Sequence, residues 1–308
     1  MTRTRRQRKL LLLIFLVGSW NLAVYAAQKE KTLPQAPNIL TGQEKAQGWI
    51  LLFDGKTFNG WRGLGYDRVP EAHWIIENGA IKKVPSKDVP LQKDGQPLEG
   101  GDLMTIDEFE DFELSFEWKI SPAGNSGLKY NVSEEMSVAK PPTHAALGFE
   151  YQTLDDDKHP DAKNGPNRTA AALYDLIGPQ NKKLKLVGEF NSAKIVFIGK
   201  HGEHWLNGVK VLEFDVGTPL FDGLLAKSKY KDIAHFADKR KGHIVLQDHT
   251  DAVWYRNLKI RPVNLEGRTP SNGRREDPAG HSWKETLTMG FLPTVASLPA
   301  FFPRSILP

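Results

Sequence analysis

The most regular pattern in the chain is an alternation of apolar and polar positions with a period of two. From Phe112 to Ile120, Leu114, Phe116, Trp118 and Ile120 share one face while Glu113, Ser115, Glu117 and Lys119 share the other. Successive side chains of a strand point to opposite sides, so this segment reads as a strand with one wet face. Leu128 to Val132 continues in the same way. In Leu147–Leu154, Leu147, Phe149, Tyr151 and Thr153 fall on one side, and Gly148, Glu150, Gln152 and Leu154 on the other. One face packs; the other offers a carboxylate and an amide beside a glycine that leaves room for an approaching group.

Turn signals divide the rest into short pieces. His73 to Val84 is a predicted hairpin around Asn78-Gly79, and His204 to Val211 a second around Asn207-Gly208, because Asn-Gly supplies the positive φ angles of a two-residue hairpin turn. Further strands are expected at Trp49–Phe53, Asp102–Thr105, Lys194–Ile198, Gly242–His249 and Ala252–Arg261, with a short helix near Pro219–Ser228. No long helical periodicity interrupts residues 41–262. Many short strands between turns predict an all-β sandwich, at this length a jelly roll of two antiparallel sheets with roughly a dozen strands.

The ends differ in character. Arg3, Arg5, Arg6, Arg8 and Lys9 precede an apolar run from Leu10 to Val17 and a small-residue site at Val24-Tyr25-Ala26, the layout of a secretory signal peptide over residues 1–26 and too short an apolar run for a stable membrane span. Residues 27–40, with Pro34 and Pro37, read as a linker, and the proline-broken tail 263–308 as a disordered extension. Removing the five cations of the leader takes the formal charge from +4 to −1, so nucleic acid and anionic membranes are not expected partners. The chain has no cysteine. That excludes disulfides, thiolate metal sites, a cysteine nucleophile and a lipid-modified cysteine anchor, and points to a periplasmic or secreted protein stabilised by its core.

No nucleophile elbow, phosphate loop or dinucleotide fingerprint is present. His201 and His204 precede a hairpin rather than lie on a helix, which argues against a zincin-like metal site. Asp155-Asp156-Asp157 could hold a hard cation but reads more simply as a solvated acidic turn. The better candidates are polar residues on the wet faces of the predicted strands: Glu117, Lys129, Glu150, Gln152, Gln247 and His249. If their strands share a sheet they form one polar patch. Glu117 and Lys129 could equally be surface charges or an ion pair, and His249 a structural histidine. Next to Asp248, however, His249 is a candidate general base.

Several strings resemble one known family. They include Trp49 with Leu52-Phe53-Asp54-Gly55-Lys56 and Gly60-Trp61, then Trp74-Ile75-Ile76-Glu77-Asn78-Gly79, Gly124-Asn125-Ser126-Gly127-Leu128 and Gly148-Phe149-Glu150-Tyr151-Gln152. Ala172-Leu173-Tyr174-Asp175, His204-Trp205-Leu206-Asn207-Gly208 and Leu246-Gln247-Asp248-His249 follow, with Trp254-Tyr255-Arg256-Asn257 closing the series. In this order they are similar to the 3-keto-disaccharide hydrolase domain family, over residues 41–262. The resemblance implies a concanavalin A-like fold, 3-keto-glycoside substrates, and a separate upstream sugar 3-oxidoreductase that supplies the ketone.

A ketone at sugar C3 acidifies the C2 hydrogen, so a base and an acid can drive elimination across C1–C2, with water adding back. On that logic His249 is assigned the base, Glu150 the acid or a metal-ligand role, Lys129 or Arg256 the enolate, and Gln152 and Tyr174 the sugar hydroxyls. A divalent cation on Glu150 and His249 would polarise the ketone by the same reasoning. Two rivals share the architecture. A non-catalytic carbohydrate-binding module would use platforms such as Trp61 or Trp254, and a retaining glycosidase would need two carboxylates about 5 Å apart, a pattern that Gln152 beside Glu150 disfavours.

Overall fold

The computed structural model describes residues 36–139, 145–238 and 241–263. The expected leader and all but the first residue of the expected tail lie outside them. Thirteen strands occur among the described residues: β1 (Ile50–Leu51), β2 (Trp61–Gly63), β3 (Trp74–Glu77), β4 (Ala80–Lys83), β5 (Leu103–Thr105), β6 (Phe112–Ile120), β7 (Asn125–Ser133), β8 (Leu147–Leu154), β9 (Asn191–Ile198), β10 (His201–Leu206), β11 (Val209–Asp215), β12 (His243–Leu246) and β13 (Val253–Pro262). Three short helices join them: α1 (Gly42–Ala46), α2 (Glu134–Val138) and α3 (Pro219–Leu225).

The strands form two antiparallel sheets. The larger runs β11-β10-β9-β6-β13-β4-β3 with β1 beside β13, and the smaller runs β2-β5-β12-β7-β8. Both predicted hairpins form, with Asn78 at φ 52° and Gly79 at 73°, and Asn207 at 48° and Gly208 at 82°. Thr218 caps α3 by accepting a hydrogen bond from the Phe221 N–H. Helix α1, capped at Thr41 by a reciprocal bond with Glu44, carried no strong pattern in its five residues. The expected linker ends earlier than its composition suggests: Asn38 is buried, donates to the Gly79 carbonyl at 2.7 Å and exchanges bonds with Asn257.

The core lies between the layers and is strongly aromatic. Phe112, Phe116 and Tyr255 from the large sheet meet Tyr130, Phe149 and Tyr151 from the small one, with Phe116 edge-on to Tyr151 at 5.3 Å between ring centroids. His204 is wholly buried there, bonded to the Tyr130 hydroxyl at 2.9 Å and the Ala171 carbonyl at 3.1 Å, and burial drives its pKa down to about 3. It is a neutral core histidine. Leu128, Tyr130, Phe149 and Tyr151 all point into this core. Strand alternation therefore turns Lys129, Glu150 and Gln152 to the outer face of the small sheet.

Candidate active site

On that outer face β7 and β8 pair so that Lys129 stands opposite Glu150 and Gly127 opposite Gln152. Glu150 is only 3% exposed. Its carboxylate fits because residue 127 has no side chain: a Cβ there would lie 2.5 Å from Glu150 Oε1 and 2.8 Å from its Cγ. With the Gln152 amide oriented by its hydrogen bonds, the nitrogen donates to Glu150 Oε1 at 3.1 Å and to the Ser126 carbonyl at 2.9 Å. Glu150 Oε2 is buried without a hydrogen-bond partner, and the Lys129 ammonium stands 3.9 Å away. Lys129 itself donates to the Ala146 carbonyl at 3.1 Å. A buried carboxylate oxygen left unpaired carries a cost of about 1–3 kcal/mol, which an incoming hydroxyl or proton would remove.

The free edge of β8 is closed by residues 171–174. Ala171 donates to the Gln152 carbonyl at 2.8 Å and Tyr174 to the Glu150 carbonyl at 3.0 Å, so Tyr174 is laid alongside the carboxylate strand. Its hydroxyl donates to Asp161 at 2.8 Å and accepts from Arg168 at 3.2 Å, while Arg168 also holds Asp175 at 2.7 Å. Burial, with Asp161 adding to it, pushes the Tyr174 phenol well up, so it remains a neutral donor. The Lys229 ammonium lies over the Tyr174 ring at 4.1 Å and near the Tyr230 ring at 4.9 Å. Lost hydration there lowers its pKa, and Glu150 opposes that shift from nearby.

His249 follows β12 and is half-buried. Burial lowers its pKa, so the imidazole is neutral at neutral pH; Asp251 and Glu150 act in the opposite sense, and His159 reinforces the fall. His159 Nδ1 accepts the Asp161 N–H at 3.1 Å, which leaves the proton of its neutral form on Nε2. Asp248, expected as the partner of His249, is turned away. It contacts His73 at 2.8 Å, the wholly buried Lys83 at 3.0 Å and the Gly101 N–H at 2.9 Å. This buried triad anchors the loop that carries His249, whose own ring instead meets Thr250 at 3.2 Å.

The model of the 3-keto-alpha-glucoside-1,2-lyase-like domain matches residues 48–261. The chain belongs to this family. It is 42% identical to a 3-keto-disaccharide hydrolase of Bacteroides thetaiotaomicron over 71% of this chain and 80% of that protein. It also resembles the crystal structure of a candidate glycosyl hydrolase from Parabacteroides distasonis, with a TM-score of 0.64 and 29% identity over 74% of this chain and all of that one.

The geometry of this family member sorts the sequence-derived candidates. Lys129, Glu150 and Gln152 share the outer face of the small sheet, with Tyr174 beside them; Gln247 and His249, both half-buried, lie on the loop just past β12, which ends at Leu246, short of the expected strand end at His249. Glu117 and Arg256 do not join them. They pair at 2.6 Å on the outer face of the large sheet, because Phe116 and Tyr255 take the inner positions. Sequence alternation identifies wet faces but does not say to which layer a strand belongs. Trp61 is buried and donates to the Leu52 carbonyl at 2.6 Å, and Lys119 covers the Trp254 ring at 4.1 Å, so neither is an open platform.

Glu150 and His249 are two donors with Lys129 already beside the carboxylate, a poor setting for a divalent cation. Among the described residues, the three-donor cluster is His201, Glu203 and Glu213, on another face, where Lys210 bridges both glutamates. The acidic turn is solvated only at its end, where Asp157 is exposed. Asp155 is buried and accepts from Ala123 at 2.7 Å, and Asp156 accepts from Ala170 at 2.7 Å and pairs with Lys182 at 2.6 Å. His159, Asp161, Arg168, Asp175 and Lys229 escaped the sequence reading since they sit on irregular segments without periodicity.

Proposed function

We propose that the protein cleaves the glycosidic bond of 3-keto-glycosides on the outer face of the small sheet, by elimination followed by hydration. The observation that carries this reading is the buried, unpartnered Glu150 oxygen facing Lys129 in a family member whose curated relative is a 3-keto-disaccharide hydrolase. Neutral His249 removes the C2 proton, and the electron pair moves onto the C3 oxygen as an enolate beside the Lys129 ammonium. As the C3 carbonyl re-forms, C1–C2 becomes a double bond and the C1–oxygen bond breaks, with Glu150, acting in its acid form, giving its own proton to the departing oxygen while His249 keeps the one from C2. Water then adds across C1–C2: its hydroxyl goes to C1 as its other proton returns to Glu150, and His249 gives its proton back to C2, so net hydrolysis restores both groups. A cation held close to the enolate oxygen stabilises the transition state more than the ketone, as such catalysis requires. Gln152 fixes the Glu150 carboxylate, and Tyr174 and Gln247 orient sugar hydroxyls.

The basic, apolar leader supports export to the periplasm or beyond, and no helix among the described residues is long and apolar enough to cross a membrane. The ketone would come from an upstream sugar 3-oxidoreductase. Incubating the purified protein with a 3-keto-glucoside and with its unoxidised parent, with and without chelator, tests the reading. Release of aglycone from the keto form alone, unaffected by chelator, is expected. Binding of the parent sugar without any product would instead indicate a carbohydrate-binding module.

A further inference from the structure

The proposed reaction, on which this inference rests, generates an enolate, and Lys129 is tied at once to the Ala146 carbonyl and to the neighbourhood of Glu150. Arg256, the other cation suggested by the sequence, lies on the opposite outer face of the sandwich, paired with Glu117. A second cation, Lys229, stands beside Tyr174 on the segment that follows α3. The main-chain N–H of Lys229 donates to Asp175 at 2.6 Å, which ties this segment to the strand extension carrying Tyr174. Its ammonium sits over the Tyr174 ring at 4.1 Å and forms no ion pair with a carboxylate among the described residues. Of the carboxylates near it, Asp161 and Asp175 are held by Arg168, and Glu150 faces Lys129.

We propose that Lys229 is a further catalytic residue, a second cation that shares with Lys129 the negative charge developing on the C3 oxygen of the keto-sugar. Three features support this. Ring contacts orient the ammonium without neutralising it, since a ring face attracts a cation only through its quadrupole. Although the neighbouring rings lower its pKa by desolvation, Lys229 keeps an exposed surface through which a bound sugar can reach the ammonium. The Tyr174–Arg168–Asp175 network holds the platform beneath it by hydrogen bonds of 3.2 and 2.7 Å, so the cation is in place before the charge appears.

The test begins with wild-type enzyme and a 3-keto-glucoside in D2O, following aglycone release and deuterium entry at C2. No turnover by the wild type would sink the function proposed above rather than the role of Lys229. Given turnover, Lys229→Met is expected to lower kcat by about a hundredfold or more, the usual effect of removing one preorganised stabilising group. Deuterium entry at C2 should fall with it, because both pass through the enolate, and Lys229→Arg should recover part of the loss. Circular dichroism and the melting temperature report on folding, and Lys229→Gln serves as the second variant if the methionine protein does not fold. Turnover within threefold of wild type in a folded Met or Gln variant would overturn the assignment. So would loss of aglycone release with C2 exchange retained, which would put Lys229 at the leaving group. Borohydride reduction during turnover provides the last arm: a covalent sugar adduct on Lys229 would also overturn it, since the amine would then act as a nucleophile.

Discussion

Replacing Gly127 by alanine puts a methyl group 2.5 Å from Glu150 Oε1, 2.8 Å from its Cγ and 2.9 Å from its Cδ, where ordinary contacts begin at 3.4 Å. Two opposing effects follow. Gly→Ala at a backbone conformation open to any residue stabilises by about 0.4–1 kcal/mol through the unfolded chain. Overpacking of a filled site costs about 1–3 kcal/mol, so the net change should be a destabilisation of between about 0 and 2.6 kcal/mol. The larger consequence is functional. Gly127 and Glu150 belong to paired strands in register, so the carboxylate rather than the backbone must yield, by about 1 Å, and a displacement of that size costs about a hundredfold in turnover. Aglycone release from a 3-keto-glucoside, measured with a thermal melt, separates the two effects. Gly223→Ala, where nothing lies within 4 Å of the new methyl, is the matched control and should change turnover little. A Gly127→Ala protein that melts near the wild-type temperature and turns over within threefold of wild type would refute the claim that this glycine exists to seat Glu150.

Four other outcomes are expected. His249→Ala should fold and lose at least about a hundredfold in turnover, while wild-type activity should rise with pH through a value below the ordinary 6.5, because burial depresses the His249 pKa and only the neutral ring accepts a proton. Asp248→Asn should destabilise by about 3–5 kcal/mol in denaturant titrations, since it strands the buried Lys83 ammonium. The Asp248 hydrogen bond raises the His73 pKa despite burial, so the stability this pair adds is complete below about pH 6.5 and is lost as pH rises through the raised folded value; His73→Gln should remove that slope from a pH series of melts. Arg256→Gln should leave turnover within twofold and cost no more than about 1 kcal/mol, because its bond to Glu117 is a partly exposed pair remote from the proposed chemistry.

Much of this was legible from the sequence because strand alternation and Asn-Gly turns are local signals. Phe112–Ile120 and Leu147–Leu154 are strands with the expected bounds, and both Asn-Gly hairpins close as anticipated. Alternation also placed Lys129, Glu150 and Gln152 correctly away from the core. What it could not supply was long-range: Glu117 and Arg256 show the same wet-face pattern as Glu150 yet belong to the other layer, a matter of sheet order rather than periodicity. The Asp161–Tyr174–Arg168–Asp175 network and Lys229 depend on loops whose conformation is set by hydrogen bonds to β8 and to one another, including Ala171 at φ 67° and Asp175 at φ 60°. Residues in such segments carry no repeating pattern, so only the folded chain brings them together.

The most direct test of the central claim is single-turnover cleavage of a C2-deuterated 3-keto-glucoside by wild-type and Glu150→Gln proteins. A primary isotope effect on aglycone release in the wild type, with release in the variant slowed by about a hundredfold at unchanged fold, is the predicted result. Equal rates for labelled and unlabelled substrate in single turnovers, together with near-normal release by Glu150→Gln, would mean that the bond is not broken by elimination at this carboxylate.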